Sequence, residues 1–312
     1  MGALECAGCV FIAFGPPFSI FFWHIAKDPL RVIIFVLGCF FYLMSLLLSA
    51  LLWFAVVPWR ESAFQFGFFF SILFQELFRF LYFLVLQKAQ AGLEKVSSAS
   101  LHIAGVHSLA HAGHTLALVS GLGFGVMAGA FSLVNVLADS RGPGTVGFPA
   151  LVHPDDGSLQ GDHSFFRFSS FYGGAMMLLH VLWTILSWDG YSRARQSENV
   201  ATWWIPVFAA TGSHFLISAL SLLNKKGGAW AYASLGATWL LTILLAVWAA
   251  AIAGANFDSL HNFCNPRLGV SSSSQEALEG PGNVSNQSSP PDEMGDDETA
   301  ESANLRRRVL AT

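Results

Sequence analysis

The stretch "VSGLGFGVMAGAFSLVNVLAD", residues 119–139, decides how this chain folds. It carries no charge before Asp139, and it holds glycine at Gly121, Gly123, Gly125 and Gly129. In water a glycine weakens a helix by about 1 kcal/mol relative to alanine. In lipid the balance differs. Hydrocarbon tails give helices no hydrophobic reason to associate, and close backbone approach at small residues supplies one. Gly121, Gly125 and Gly129 lie four apart and so share a helix face, a stripe that Ala117 and Ser132 extend. The stretch reads as a membrane span with a groove for another helix, drawn either from this chain or from another subunit. The G-x-x-x-G pattern does not name the partner.

Working outward, the same charge-free character recurs. The windows Cys6–Ala26, Val32–Trp59, Thr115–Ala138, Phe168–Trp188, Asn199–Asn224 and Gly227–Phe257 are each long enough to cross a bilayer. A seventh, Ser62–Gln87, is apolar but holds Glu76 and Arg79. Of the 312 residues 54% are hydrophobic and 12% charged, where a soluble domain carries about 25% charged residues. Only helices or closed barrels satisfy their backbone in lipid, and the alternating pattern of a barrel is absent. The expected fold is all-α: a polytopic membrane protein with a bundle of seven transmembrane helices. The first window has no basic residue before it and no clear small-residue cleavage site before Lys27, so it reads as a retained span. The tight link Lys27-Asp28-Pro29-Leu30-Arg31 predicts an antiparallel hairpin of the first two helices. Two connections are long: the histidine-rich Lys88–His114 and the turn-rich Asp139–Arg167.

The seven-span domain is expected over 1–263, followed by an acidic, Ser/Pro-rich tail over 264–312. From Arg267 onward eight acids face four bases, which accounts for the whole formal charge of −4. Such a composition predicts disorder. With the N-terminus outside, the inner side collects Lys27, Arg31, Lys88, Lys95, Arg193, Arg195 and Arg267, against Arg60, Arg141, Arg167, Lys225 and Lys226 on the outer side. That bias places the tail in the cytosol. Asn283 and Asn286 lie in N-x-S sequons that a cytosolic tail leaves unglycosylated.

Several polar residues stand in apolar surroundings. Glu76 lies about 21 Å along its helix from Ser62, at about 1.5 Å per residue, and Arg79 three positions on can pair with it. An ion pair that orients the third span is the simpler reading; a catalytic glutamate is the sharper one. His180 and His214 need hydrogen-bond partners in a dry environment and could meet each other, Glu76 or Asn135. A metal site lacks a motif, since H-E-x-x-H is absent. His107, His111 and His114 would share a face if helical, without an acid or cysteine to complete a zinc set. Cys6 and Cys9 read as two small apolar thiols on one helix face. An intramembrane aspartyl protease is excluded: Asp28, Asp139, Asp189 and Asp258 sit at span ends. No cofactor, no metal and no nucleic-acid partner is expected; the bilayer's lipids are the surroundings.

The segments "AKDPLRVIIFVLGCFFYLMSLLLSALLW" (26–53), "QELFRF" (75–80), "ALVSGLGFGVMAGAFSLVNVLADSRGPGTVG" (117–147), "LLHVLWTI" (178–185) and "GSHFLISALSLLN" (212–224) resemble the anterior-pharynx-defective (Aph) family, in order from about Gly2 to Phe263. The loop pattern and the histidine-rich third connection look most like nematode members. The resemblance implies a scaffold subunit of gamma-secretase with seven spans, a lumenal N-terminus and a cytosolic C-terminus, in endoplasmic reticulum, Golgi and plasma membrane. It implies assembly with nicastrin, presenilin, which carries the catalytic aspartates, and the presenilin enhancer subunit. The complex cuts type I membrane proteins such as Notch and amyloid precursor protein. The family's tandem glycine motif falls on Gly121, Gly125 and Gly129, and its two membrane histidines fall on His180 and His214. The family also distantly resembles intramembrane prenyl-protein proteases that use glutamate and histidine; Glu76, Arg79, His180 and His214 would be remnants of that site. Those proteases carry a Glu-Glu pair, whose first position here is Gln75. Two other classes stand against the scaffold: an intramembrane hydrolase using Glu76, and a seven-span receptor or transporter, which would need a ligand cavity open to one side.

Overall fold

The computed structural model describes residues 3–56, 63–98, 113–139, 161–195, 202–226 and 228–254. Helices α1 (Ala3–Ile20), α2 (Pro29–Val56), α3 (Ala63–Ser98), α4 (Gly113–Asp139), α5 (Gly161–Arg195), α6 (Trp204–Leu220) and α7 (Gly228–Ile252) follow one another, and among the described residues there is no strand. Each is part of a segment long and apolar enough to cross a membrane. Large apolar side chains such as Phe11, Trp23, Phe54, Phe208 and Val247 point outward, as a lipid solvent requires. The chain is an integral, multi-pass membrane protein. Residues 264–312, expected as a tail, and the sequons at Asn283 and Asn286 lie outside the described residues.

Two helices form the centre. In α4 and α5, 61% of the apolar window is buried, against 17–33% in the other spans. α4 and α5 pack most extensively on each other; α2 lies on α4, α3 on α2, and α6 and α7 on α5. Small residues set these distances. Gly123 of α4 faces Gly38 of α2, and Cys39 Sγ donates to the Gly123 carbonyl at 3.4 Å. On α7 the buried positions Ala231, Ser234, Thr238, Thr242, Leu245 and Ala249 repeat at helical spacing. Thr238 and Thr242 donate to the carbonyls four residues back, at 2.8 and 2.7 Å, so their hydroxyls are satisfied within the helix. Tyr82 of α3 donates to the Ile34 carbonyl of α2 at 2.5 Å and stacks on Phe41.

The structure keeps the expected reversal of the first two spans and confines their main contact to the end near the link. The chain does reverse at Asp28, whose carboxylate accepts from the Leu30 amide at 3.0 Å. Yet α1 packs on α5 and α4, and it is its π-helical extension Phe21–Ile25 that reaches α2, with Phe21 and Phe35 rings 4.9 Å apart. Pro16 and Pro17 withdraw two donors from α1. The carbonyls this frees, on Ile12 and Ala13, lie against Gly174 of α5. That approach draws α1 toward α5. The third connection is also shorter than expected, because α3 continues to Ser98 through helix formers such as Ala91, Leu93, Glu94 and Lys95.

Candidate functional site: a buried polar cluster beside a glycine-packed helix pair

The groove of the opening stretch is filled by the chain itself. A Cβ on Gly121 would come within 2.8 Å of the Val181 Cα and 3.0 Å of the Val181 carbonyl on α5. On Gly125 it would collide with the Met177 carbonyl, and on Gly129 with the Met177 side chain. Ala117 is buried on the same face; Ser132, at its end, is exposed. Of the two partners the sequence leaves open, α5 is the one present.

That close approach fixes α5 where His180 and Thr184 meet α3. Arg79 is 2% exposed, and its guanidinium reaches in three directions. Nη1 pairs with Glu76 Oε1, Nε donates to Thr184 Oγ1 at 3.1 Å, and Nη2 lies 3.2 Å from His180 Nδ1. The face of Phe124, on α4, lies 5.5 Å from the cation. From α6, His214 Nδ1 meets Glu76 Oε1 at 2.7 Å. A guanidinium only donates, so His180 Nδ1 is an acceptor; a carboxylate only accepts, so His214 Nδ1 is a donor. His180 and His214 are each 2% exposed, with ring centres 5.5 Å apart and nearly perpendicular planes. Glu76 Oε2 is buried without a partner.

The cluster thus joins α3, α5 and α6 through residues far apart in sequence. Burying an ion pair is expensive unless further hydrogen bonds satisfy it, and here Arg79 gains two beyond its carboxylate. Of the partners expected for the two histidines, Glu76 is found directly and His180 and His214 stand edge to face. The Asn135 side chain, His107 and His111 lie outside the described residues; His114 is exposed in the first turn of α4. Gln75 does not join the cluster: its amide points to Ser71 Oγ at 3.4 Å. Cys9 is buried on α1 and Cys6 half-buried. Among the described residues no group of three or more His, Cys, Asp or Glu is placed to hold a metal.

Sequence reasoning missed two members. Thr184 donates to the His180 carbonyl at 2.7 Å and accepts from Arg79. Trp183 stacks on His214, centroids 4.0 Å apart, and donates to Ser213 Oγ on α6 at 2.8 Å. Their signal was positional: Trp183 and Thr184 lie three and four residues after His180, on its own face.

Past the cluster the bundle opens into a cavity of about 1350 Å³, with His180 and His214 in its lining. Its walls come from the C-terminal half of α2, the N-terminal halves of α3 and α5, and the C-terminal halves of α4 and α6. On the other side of the cluster Phe83, Trp188 and Tyr191 pack edge to face and tilted, closing that half of the bundle.

Comparison with known proteins agrees with this architecture along nearly its whole length. The family model described as "Aph-1 protein" matches residues 4–256. The chain is 39% identical to "Gamma-secretase subunit Aph-1b" of Danio rerio over 261 residues, 81% of this chain and 90% of that one. It is 37% identical to "Gamma-secretase subunit Aph-1" of Drosophila melanogaster over 260 residues, 83% and 97% of the two chains. It is 36% identical to "Gamma-secretase subunit aph-1" of Caenorhabditis elegans over 230 residues, 73% and 74%. Seven spans, a glycine-packed central pair and a match covering all of them lead to one conclusion: this chain belongs to the Aph-1 family.

Proposed function

We propose that this chain is a noncatalytic scaffold subunit of gamma-secretase. On this reading it holds presenilin, nicastrin and the presenilin enhancer subunit while the complex cleaves type I membrane proteins. Its relatives are named as gamma-secretase subunits. The observation that carries the noncatalytic part is the state of Glu76. One carboxylate oxygen is taken by both Arg79 and His214, and the cluster's bonds run between helices. A general base needs a carboxylate within reach of water; Glu76 is 9% exposed and its Oε1 is held between α3 and α6. Gly121, Gly125 and Gly129 act in assembly indirectly, by fixing α4 against α5 and so the outer faces that partners meet. The N-terminus is lumenal and the C-terminus cytosolic, and the protein resides in endoplasmic reticulum, Golgi and plasma membrane.

The test is co-purification from a mild-detergent extract. Gly125→Leu should lose presenilin and nicastrin while the chain is still made and inserted. A complex of normal composition and yield would reject the groove's part in assembly. The unpartnered Glu76 Oε2 favours a second reading, an intramembrane hydrolase. Under it the purified chain alone would cleave a membrane substrate and Glu76→Gln would abolish cleavage; under ours the lone chain is inert.

A further inference from the structure

We propose that the outer face of α1 is a docking site for an anionic phospholipid. Lys27 receives the headgroup, and the aromatic face behind it takes one acyl chain. The inference stands apart from the scaffold role.

A groove of about 1040 Å³ runs along the exposed side of α1. Its described lining belongs to α1, the π-helical extension and Lys27 just beyond. From Cys6 to Lys27 it covers about 30 Å at about 1.5 Å per residue, the thickness of the hydrocarbon core. The part from Gly15 to Lys27 is therefore about one leaflet deep. Its floor leaves no polar group to satisfy, since Ser19 Oγ donates to the Gly15 carbonyl at 2.8 Å. At Gly15 the floor is low: the nearest atoms to an added Cβ are those of the Phe11 ring, at 3.6 Å. Phe11, Phe18, Phe22 and Trp23 stand out from this face. Phe18 stacks on Phe14 with centres 5.6 Å apart, and Phe22 meets Phe18 edge-on at 6.4 Å. Helices associate in lipid where small residues let backbones approach. Here the projecting rings hold a second backbone away from Gly15, whereas a flexible acyl chain passes between them.

Charge selects the headgroup. Lys27 is exposed, and among the described lining residues it alone is charged. Its ammonium lies 4.9 Å from the centre of the Trp23 ring, which places it over the end of the groove. Neighbouring Asp28 is committed elsewhere: Oδ2 lies 3.3 Å from Arg31 Nε, and Oδ1 accepts from the Leu30 amide. Arg31 in turn donates to the His24 carbonyl at 2.9 Å. With Asp28 and Arg31 offsetting each other, the link keeps one positive charge, that of Lys27. A headgroup with net negative charge complements it; a zwitterionic one brings its own cation and gains less. Trp23 belongs at the same level, since tryptophan favours the membrane–water interface. On the orientation proposed above, this end meets the cytosolic leaflet, whose surface is anionic. The contact with Lys27 is the same in either orientation.

The test uses the full chain purified in mild detergent and, separately, the chain within its native complex. The probe is phosphatidylserine with a photoactivatable group in one acyl chain. Phosphatidylcholine with the same chains runs alongside, and labelled positions are read by mass spectrometry. Phosphatidylserine should label the peptide from Gly15 to Trp23 about fivefold more than phosphatidylcholine, which is about 1 kcal/mol. Lys27→Gln should remove that preference and Lys27→Arg should keep it, both with the thermal midpoint of the parent. Lys226, 5.0 Å from the Trp230 ring and outside this groove, is the control; Lys226→Gln should leave the labelling of α1 unchanged. Ser19→Trp, at an exposed lining position, should cut labelling by both lipids. Equal labelling by the two lipids overturns the proposal. So does a preference that survives Lys27→Gln or is lost equally in Lys226→Gln, or labelling that survives Ser19→Trp. A cross-linker placed at Ser19 in the complex should capture lipid; capture of a protein helix there overturns the proposal as well.

Discussion

Arg79 is the residue on which the buried cluster turns. It is a planar fork with five donors, and it meets acceptors on α3 and α5 at once: Glu76, Thr184 and His180. Removing it would leave a buried carboxylate facing His214 alone. Breaking a buried pair by deleting one partner costs about 3–5 kcal/mol, much more than the pair's net worth against an apolar replacement. Arg79→Met should therefore lower the thermal midpoint of the detergent-solubilised chain sharply. Arg79→Met combined with Glu76→Met should recover a good part of that loss. Arg79→Lys should fall between, because a compact ammonium on a flexible stem cannot hold the Thr184 and His180 bonds together. If Arg79→Met melts with the parent, the cluster does not hold the helices.

The elements meet where side chains are missing, and the two sides of α4 show it. Gly121 and Gly125 face α5, whereas Gly123, two residues round the helix, faces the Phe35 carbonyl and Gly38 of α2. A methyl group at Gly121 or Gly123 would press on backbone, which cannot swing aside. We expect Gly121→Ala and Gly123→Ala each to destabilise by about 1–3 kcal/mol, the usual range for overpacking. Gly212 of α6 is the control, since a Cβ there meets nothing within 4 Å. Gly212→Ala should be neutral or stabilising by up to about 1 kcal/mol through helix propensity. Thermal unfolding of the three variants in one detergent checks the contrast, and a uniform response would show that close approach is not what the glycines provide. The stripe of Gly121, Gly125 and Gly129 was legible in the sequence because spacing of four is a property of one helix. Its partner was not, because any helix with a complementary face would serve. Gly123 was passed over because it falls off that stripe; lone Gly38, in a span of Leu and Phe, was the available hint.

At the scale of the whole molecule, what could be read from the sequence follows from what lipid enforces. Hydropathy fixed the number of spans, since every helix here must be apolar over its crossing length. It said nothing of which spans touch: the short Lys27–Arg31 link suggested a packed pair, and α1 instead lies against α5. Charge in the connections speaks to a further global property, the direction in which the bundle threads the membrane. Seven basic residues against five favour a lumenal N-terminus, a modest excess acting through short connections. Glycosylation reads this directly, because the transferase works on the lumenal side alone. Asn283 and Asn286 should stay unmodified when the chain is made in the presence of microsomes. Pro143→Asn creates the sequon N-G-T in the connection between α4 and α5, on the side assigned as lumenal, and should add one endoglycosidase-sensitive glycan. The reverse pattern, with glycans at Asn283 or Asn286 and none from Pro143→Asn, would invert the bundle. The mouth of the cavity would move with it. It opens where α2 and α4 end and α3 and α5 begin, so it belongs to the lumenal half in one topology and to the cytosolic half in the other.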